Sequence, residues 1–168
     1  MQFKLAQIVG ILITVGAVTA MQLKKKRHIL ALSGLVNLLS ALNIFLLGQM
    51  GSGVILNCVA VVQVGFSIWH DWKGTQPSLA EKILFFIVYV ACGILGFRQP
   101  LDIIPILSVV FYMTAVFQKK EQNLRLFMMG NGVCWTVYYA IFGSTAILGQ
   151  IANIISALIG LVRYRKQT

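Results

Sequence analysis

Seven apolar stretches follow one another from Leu5 to Val162, separated only by short polar breaks. A helix covers the hydrocarbon core of a bilayer with about 20 residues, and backbone groups in lipid must be paired within the segment or within a closed barrel. Runs of this length read as helices, with expected spans Leu5–Leu23, Ile29–Leu47, Val54–Trp69, Ile83–Phe97, Leu101–Phe117, Leu124–Phe142 and Ala146–Val162. Composition agrees. Hydrophobic residues make up 58% of the 168 and charged residues 11%, where a soluble domain carries about 25% charged residues. Too few charges remain to clothe a soluble core. The expected class is an all-α polytopic membrane protein.

Charge placement orients the spans. With seven crossings and the N-terminus outside, the cytoplasmic side receives the run Lys24 to Arg27, Lys73, Lys82, Lys119, Lys120, Arg125, Arg163, Arg165 and Lys166. Only Lys4 and Arg98 fall outside, so the split is 12 against 2, as the positive-inside rule expects. The net charge of +10 therefore reads as a set of topology signals rather than a nucleic-acid surface. The Arg98-Gln99-Pro100 break leaves two readings of spans four and five, as two crossings or as one re-entrant pair. The charge order around the first span is opposite to that of a cleaved signal peptide, so it is expected to stay as a transmembrane helix.

The chain also resembles itself at an offset of 95 residues. Thr19-Ala20 returns as Thr114-Ala115, Lys24-Lys25 as Lys119-Lys120, Gly48 as Gly143 and Gly65 as Gly160. The expected plan is a three-helix unit over residues 1–72, a linker with the fourth span over 73–99, and a second three-helix unit over 100–168. The single extra crossing makes the two units parallel, with the C-terminus cytoplasmic. Gly48 and Gly143 are expected to reverse the chain in tight turns.

Candidate functional groups are polar side chains inside apolar spans: Asn37 and Ser40 in the second, Asn57 in the third, Asn131 and Trp135 in the sixth, Asn153 in the seventh. Amides offer donors and acceptors to a hydroxyl-rich solute. They can equally clamp one helix to another. Asp71, Glu81, Asp102 and Glu121 all fall near span ends, so no carboxylate is placed for a proton relay at mid-membrane. Cys58, Cys92 and Cys134 read as small buried hydrophobes, and His28 and His70 as interfacial residues. Trp69 and Trp72 read as belt anchors at the end of the third span. No metal, cofactor or enzyme constellation is expected.

The early glycine-containing span ending in Lys24-Lys25-Lys26-Arg27, followed by Asn37 through Gly48, resembles the YgjV family of bacterial inner-membrane proteins. The 3+1+3 plan is similar in architecture to the SWEET sugar transporters and their half-sized bacterial relatives. That resemblance implies a central sugar pocket with Asn57 and Asn153 as its asparagine pair, flanked by Trp135 and Ser40. It implies a hinge at Pro105, with Gly10 at the equivalent place in the first span. The Pro-Gln pair of those transporters is absent. The function expected is facilitative transport of a small polar, sugar-like solute by alternating access. The alternative is a non-transporting accessory protein of the same membrane. Neither reading sets an oligomeric state.

Overall fold

The computed structural model describes residues 2–164. Seven α-helices account for most of them: α1 (Gln2–Gln22), α2 (Lys26–Leu46), α3 (Ser52–Trp72), α4 (Leu79–Leu95), α5 (Ile103–Val116), α6 (Glu121–Ile141) and α7 (Ala146–Arg163). A 3-10 turn, Pro100–Asp102, leads into α5. Four helices, α1, α2, α3 and α7, are long and apolar enough to cross a membrane, and α5 with its lead-in is a shorter apolar helix. The 17 residues of α4 make a rod of about 25 Å. α6 is as long as α1 but begins Glu-Gln-Asn-Leu-Arg, which dilutes its hydropathy.

The helices form a ring. α1 packs on α2 and α7, α2 on α3, α3 on α5, α5 on α6, and α6 on α7. α4 lies beside α3 and α5, and within it only Tyr89 and Gly93 are buried. Side-chain contacts locate both ends of α4. At the basic end Glu81 lies 3.4 Å from His70, and the Lys82 ammonium stands over the Phe117 ring. At the opposite, turn end, Gly96 sits against the backbone of Ser52. α4 therefore runs the height of the ring, and α5 runs back from Asp102 at the turn end to Phe117 at the basic end.

The expected turns form at Gly48 and Gly143, with φ +77° and +62°. Each closes its helix in the same way. Gly48 and Gln49 donate to the carbonyls of Phe45 and Ile44, while Gly143 and Ser144 donate to those of Ala140 and Tyr139. These are Schellman caps, whose left-handed residue carries a steric penalty for any side chain. The two sets of partners are again 95 residues apart.

Polarity is inverted relative to a soluble protein. Leu12, Val15, Leu38, Ile87, Leu107 and Val137 are exposed on the outer faces, while Asn43, Ser52, Gln63, Asp102 and Arg125 are buried. Outward apolar faces with inward polar groups suit a lipid surround. The interior is layered. One apolar cluster, including Met21, Ile29, Leu30 and Leu124, fills the basic half. A second, including Ile13, Ile44, Tyr138 and Tyr139, fills the turn half.

Three expectations need adjustment. The cysteines are not fully buried: Cys58 is exposed, and Cys92 and Cys134 are intermediate, Cys92 packing against the edge of the larger apolar cluster. His70, at the end of α3 as expected, is also buried, and its Nδ1 lies 2.7 Å from the Thr75 hydroxyl. α4 is more than a linker. Tyr89 is 1% exposed and donates a 2.6 Å hydrogen bond to Gln63 of α3, which ties α4 into the ring.

Candidate functional site

Between the two apolar layers lies a polar one. Helix periodicity places it there: Ser33, Asn37 and Ser40 follow at intervals of four and three, on one face of α2. Asn131 and Trp135 do the same on α6. Asn37, Ser40, Asn57, Asn131, Trp135 and Asn153 all line one small cavity at the centre of the ring. Asn37, Asn131 and Asn153 lie near the midpoints of their helices, and Asn57 lies about a turn and a half nearer the turn end. The cavity measures about 40 Å³, enough for a few water molecules and far below the volume of a typical ligand pocket. A chamber of about 20 Å³ adjoins it and shares Asn37, Asn57, Asn131 and Trp135.

The four asparagines are held differently. Asn37 donates to the Tyr112 hydroxyl and so joins α2 to α5. Asn57 donates to the Gly53 carbonyl of its own helix at 2.7 Å. The Oδ1 atoms of Asn131 and Asn153 are buried without a hydrogen-bond partner among the described residues. Such acceptors cost free energy unless water or a solute fills them. Asn43 also clamps helices, at the turn end. That side chain donates to the Ala6 carbonyl and accepts from the Ser144 hydroxyl at 3.1 Å.

Close helix approach shapes the cavity wall. A Cβ on Gly130 would meet the Phe111 ring, and one on Gly132 would come within 3.1 Å of Ile154. The two glycines beside Asn131 thus let α5 and α7 close on α6. Trp135 stacks on Tyr139 at 5.5 Å and meets Tyr138 edge-on at 5.4 Å, an aromatic wall on the turn side. Pro105 is buried in the first turn of α5, where its missing N–H does little harm to the helix. Gly10 packs against Thr145 and the Ala146 nitrogen, so close approach of α1 to α7 accounts for a glycine there.

The offset also marks lining residues that polarity alone missed, Ala17, Ser33, Tyr112 and Met128. Ala17 and Tyr112, Ser33 and Met128, and Ser40 and Trp135 are pairs 95 residues apart, and all six line the cavity. Asn37 with Asn131 and Asn57 with Asn153 each miss that spacing by one residue. In these three pairs the first member is small and the second bulky, while a fourth exact pair, Val36 and Asn131, is of similar size. The two halves therefore contribute equivalent positions but unequal volume. Gln150 also lines the cavity and has no polar counterpart at the offset.

The family model Imp-YgjV, described as a bacterial inner membrane protein, matches residues 4–168. The chain belongs to the YgjV family. It is thereby a multi-pass protein of the bacterial inner membrane, in keeping with the four spanning helices. No curated protein and no solved structure matches it. The outward apolar faces of this YgjV protein are its lipid surface. Among its described residues no group of His, Cys, Asp or Glu is arranged to hold a metal ion.

Proposed function

We propose that this protein crosses the membrane seven times as two parallel three-helix units joined by α4, and carries a small polar, sugar-like solute by alternating access. The observation that carries the reading is the central polar layer, where equivalent positions of the two halves meet around amide acceptors that no described residue engages. Exchange of the halves turns the α1–α7 contact into the α5–α3 contact, and both are present, which supports a pseudo-twofold arrangement. The cavity is then the place where the solute would sit. Opening would part the units at one end, with Pro105 and Gly10 as candidate pivots.

The site is sealed at the turn end by paired polar groups. Asn43 bridges α1 and the turn before α7, and Gln7 accepts from the Thr145 nitrogen at 2.9 Å. By the positive-inside rule this end faces outward. Reporter fusions test the topology. Alkaline phosphatase joined after Gly48 or Gly143 should be active, and a fluorescent protein joined after Lys73 should fold in the cytoplasm. Phosphatase activity at Lys73 would reject the orientation.

Flux is the direct test. Purified protein in vesicles should equilibrate a labelled hexose or polyol faster than protein-free vesicles. Asn153→Ala and Asn57→Ala should bring that rate to background while leaving the unfolding temperature within a few degrees. Flux that survives both substitutions removes the asparagines from the proposed site. The small volume of the cavity favours the second reading, a non-transporting accessory protein, and that reading predicts no flux for any solute of this class.

A further inference from the structure

The basic end of the ring holds a second and larger cavity, of about 610 Å³. It opens among the α1–α2 turn, the start of α6 and the end of α7. Five cations line it: Lys24, Lys25, Lys26, Arg27 and Arg125. Two carboxylates, Asp71 and Glu121, oppose them. Surface lysines alone would be ordinary topology signals, but three further features are not.

The first is Arg125. Counted from sequence among the cytoplasmic charges, it is in fact 1% exposed. Its guanidinium donates to the Met21 carbonyl at 3.3 Å and the Leu23 carbonyl at 2.8 Å. It also stands 5.0 Å from the Tyr164 ring centroid. No carboxylate pairs with it among the described residues. A buried cation whose direct partners are neutral leaves part of its desolvation cost uncompensated, with Glu121 in the same cavity as the nearby carboxylate. Gly160 makes the placement possible, since a Cβ there would lie 2.9 Å from Arg125 Nε.

The second is the start of α2. Its N-cap is Lys25, with no side-chain cap and no acidic residue in the first turn. A helix N-terminus carries partial positive charge and favours anions. Lysines and an arginine clustered there repel it and one another. The third is Gln122, which lines the same cavity with both side-chain polar atoms buried and without a partner among the described residues. An anion with several acceptor oxygens would relieve the first two conflicts and accept from the Gln122 amide nitrogen.

We propose that this vestibule binds a phosphate-type anion, either the phosphate of a lipid headgroup or a soluble phosphomonoester. The α2 N-terminus, Lys25 and Arg27 would meet the anion at the mouth, and Arg125 and Gln122 would meet it from the floor. The inference does not depend on transport, because it is read by binding alone.

The test uses the full chain in nanodiscs of neutral phosphatidylcholine, and in discs that also contain phosphatidylglycerol. Inorganic phosphate is titrated at constant ionic strength against chloride, with the unfolding midpoint as readout. In neutral discs phosphate should raise the midpoint where chloride does not. A shift that vanishes in phosphatidylglycerol discs, whose starting midpoint is already raised, assigns the site to a headgroup. A shift that persists in both assigns it to a soluble anion. Lys25 and Arg27 are exposed, so Lys25→Gln/Arg27→Gln should fold, and it should weaken binding roughly tenfold for each cation removed. Gly160→Ala should also weaken binding by displacing Arg125. The absence of any phosphate or phosphatidylglycerol effect would overturn the proposal. So would an effect left unchanged in the Lys25→Gln/Arg27→Gln variant.

Discussion

Replacing Gly149 with leucine should leave little folded protein, the largest effect expected of a single substitution here. Gly149 faces α1, where a Cβ would stand 3.0 Å from Thr14 Cα and 3.2 Å from Thr14 N. Those are backbone atoms inside a helix, so no rotamer change can make room. The Thr14 hydroxyl is engaged too, donating to the Gly10 carbonyl at 2.9 Å. Gly10 in turn presses on Ala146 at the start of α7, so two glycines interlock α1 with α7. Overpacking a tight contact by one methyl costs about 1–3 kcal/mol, and a leucine should exceed that by prising the helices apart. Total stability is typically only about 5–15 kcal/mol. Gly149→Ala should therefore lower the unfolding temperature by several degrees, and Gly149→Leu should aggregate on size exclusion. Gly65 is the control, since a Cβ there meets nothing within 4 Å. Gly65→Ala should be neutral or slightly stabilising through helix propensity. A monodisperse Gly149→Leu protein of unchanged stability would show that α1 and α7 do not meet as described.

The second large effect is expected at Asp102. This carboxylate is buried at the turn between α4 and α5. Its Oδ2 accepts from the backbone nitrogens of Arg98 at 2.8 Å and Gln99 at 3.1 Å. Its carbonyl accepts from the Ser52 hydroxyl of α3 at 3.2 Å. Asp102→Ala strands two backbone donors in a turn that packs against α3. With charge-assisted bonds worth about 1.5–3 kcal/mol each, a loss of about 3 kcal/mol is expected. At about 2–4 °C per kcal/mol for a chain of this size, thermal unfolding should move down by roughly 6–12 °C. Asp102→Asn keeps one acceptor oxygen and should lose less than half as much. Equal stability of the alanine variant and the native protein would mean that the turn is held by other contacts.

Gly51 explains why this carboxylate fits. A Cβ at Gly51 would lie 2.6 Å from Asp102 Oδ1. The α2–α3 turn and the α4–α5 turn are thus keyed together, and Gln99 donates to Gln49 across the same gap at 3.2 Å. This keying holds α3 beside α5 at the turn end and places Asn57 opposite the residues of α5 and α6.

The sequence by itself determined what depends on the solvent and on local geometry. Long apolar runs with few charges can satisfy their backbone in lipid only as helices, so the helices and their order follow from composition and spacing. Left-handed turns at Gly48 and Gly143 follow because glycine adopts positive φ without a steric penalty. Polarity inside apolar spans also singled out Asn37, Ser40, Asn57, Asn131, Trp135 and Asn153, and these residues line one cavity. Their roles could not be read in the same way. Whether an amide clamps a helix or faces a cavity depends on what stands opposite it, and only packing sets that. Packing made Asn43 a clamp, gave the Oδ1 atoms of Asn131 and Asn153 no partner among the described residues, and drew Tyr112 to Asn37 from 75 residues away. Packing also buried Arg125, which in sequence is one more positive charge near a span end. A guanidinium five residues into α6 finds the carbonyls of Met21 and Leu23 only because Gly160 leaves room on α7. The lipid-spanning character on which the sequence argument began is thus a property of the chain, while the two polar cavities inside it belong to the assembled ring. They exist because side chains from distant helices meet there at distances that no local rule encodes.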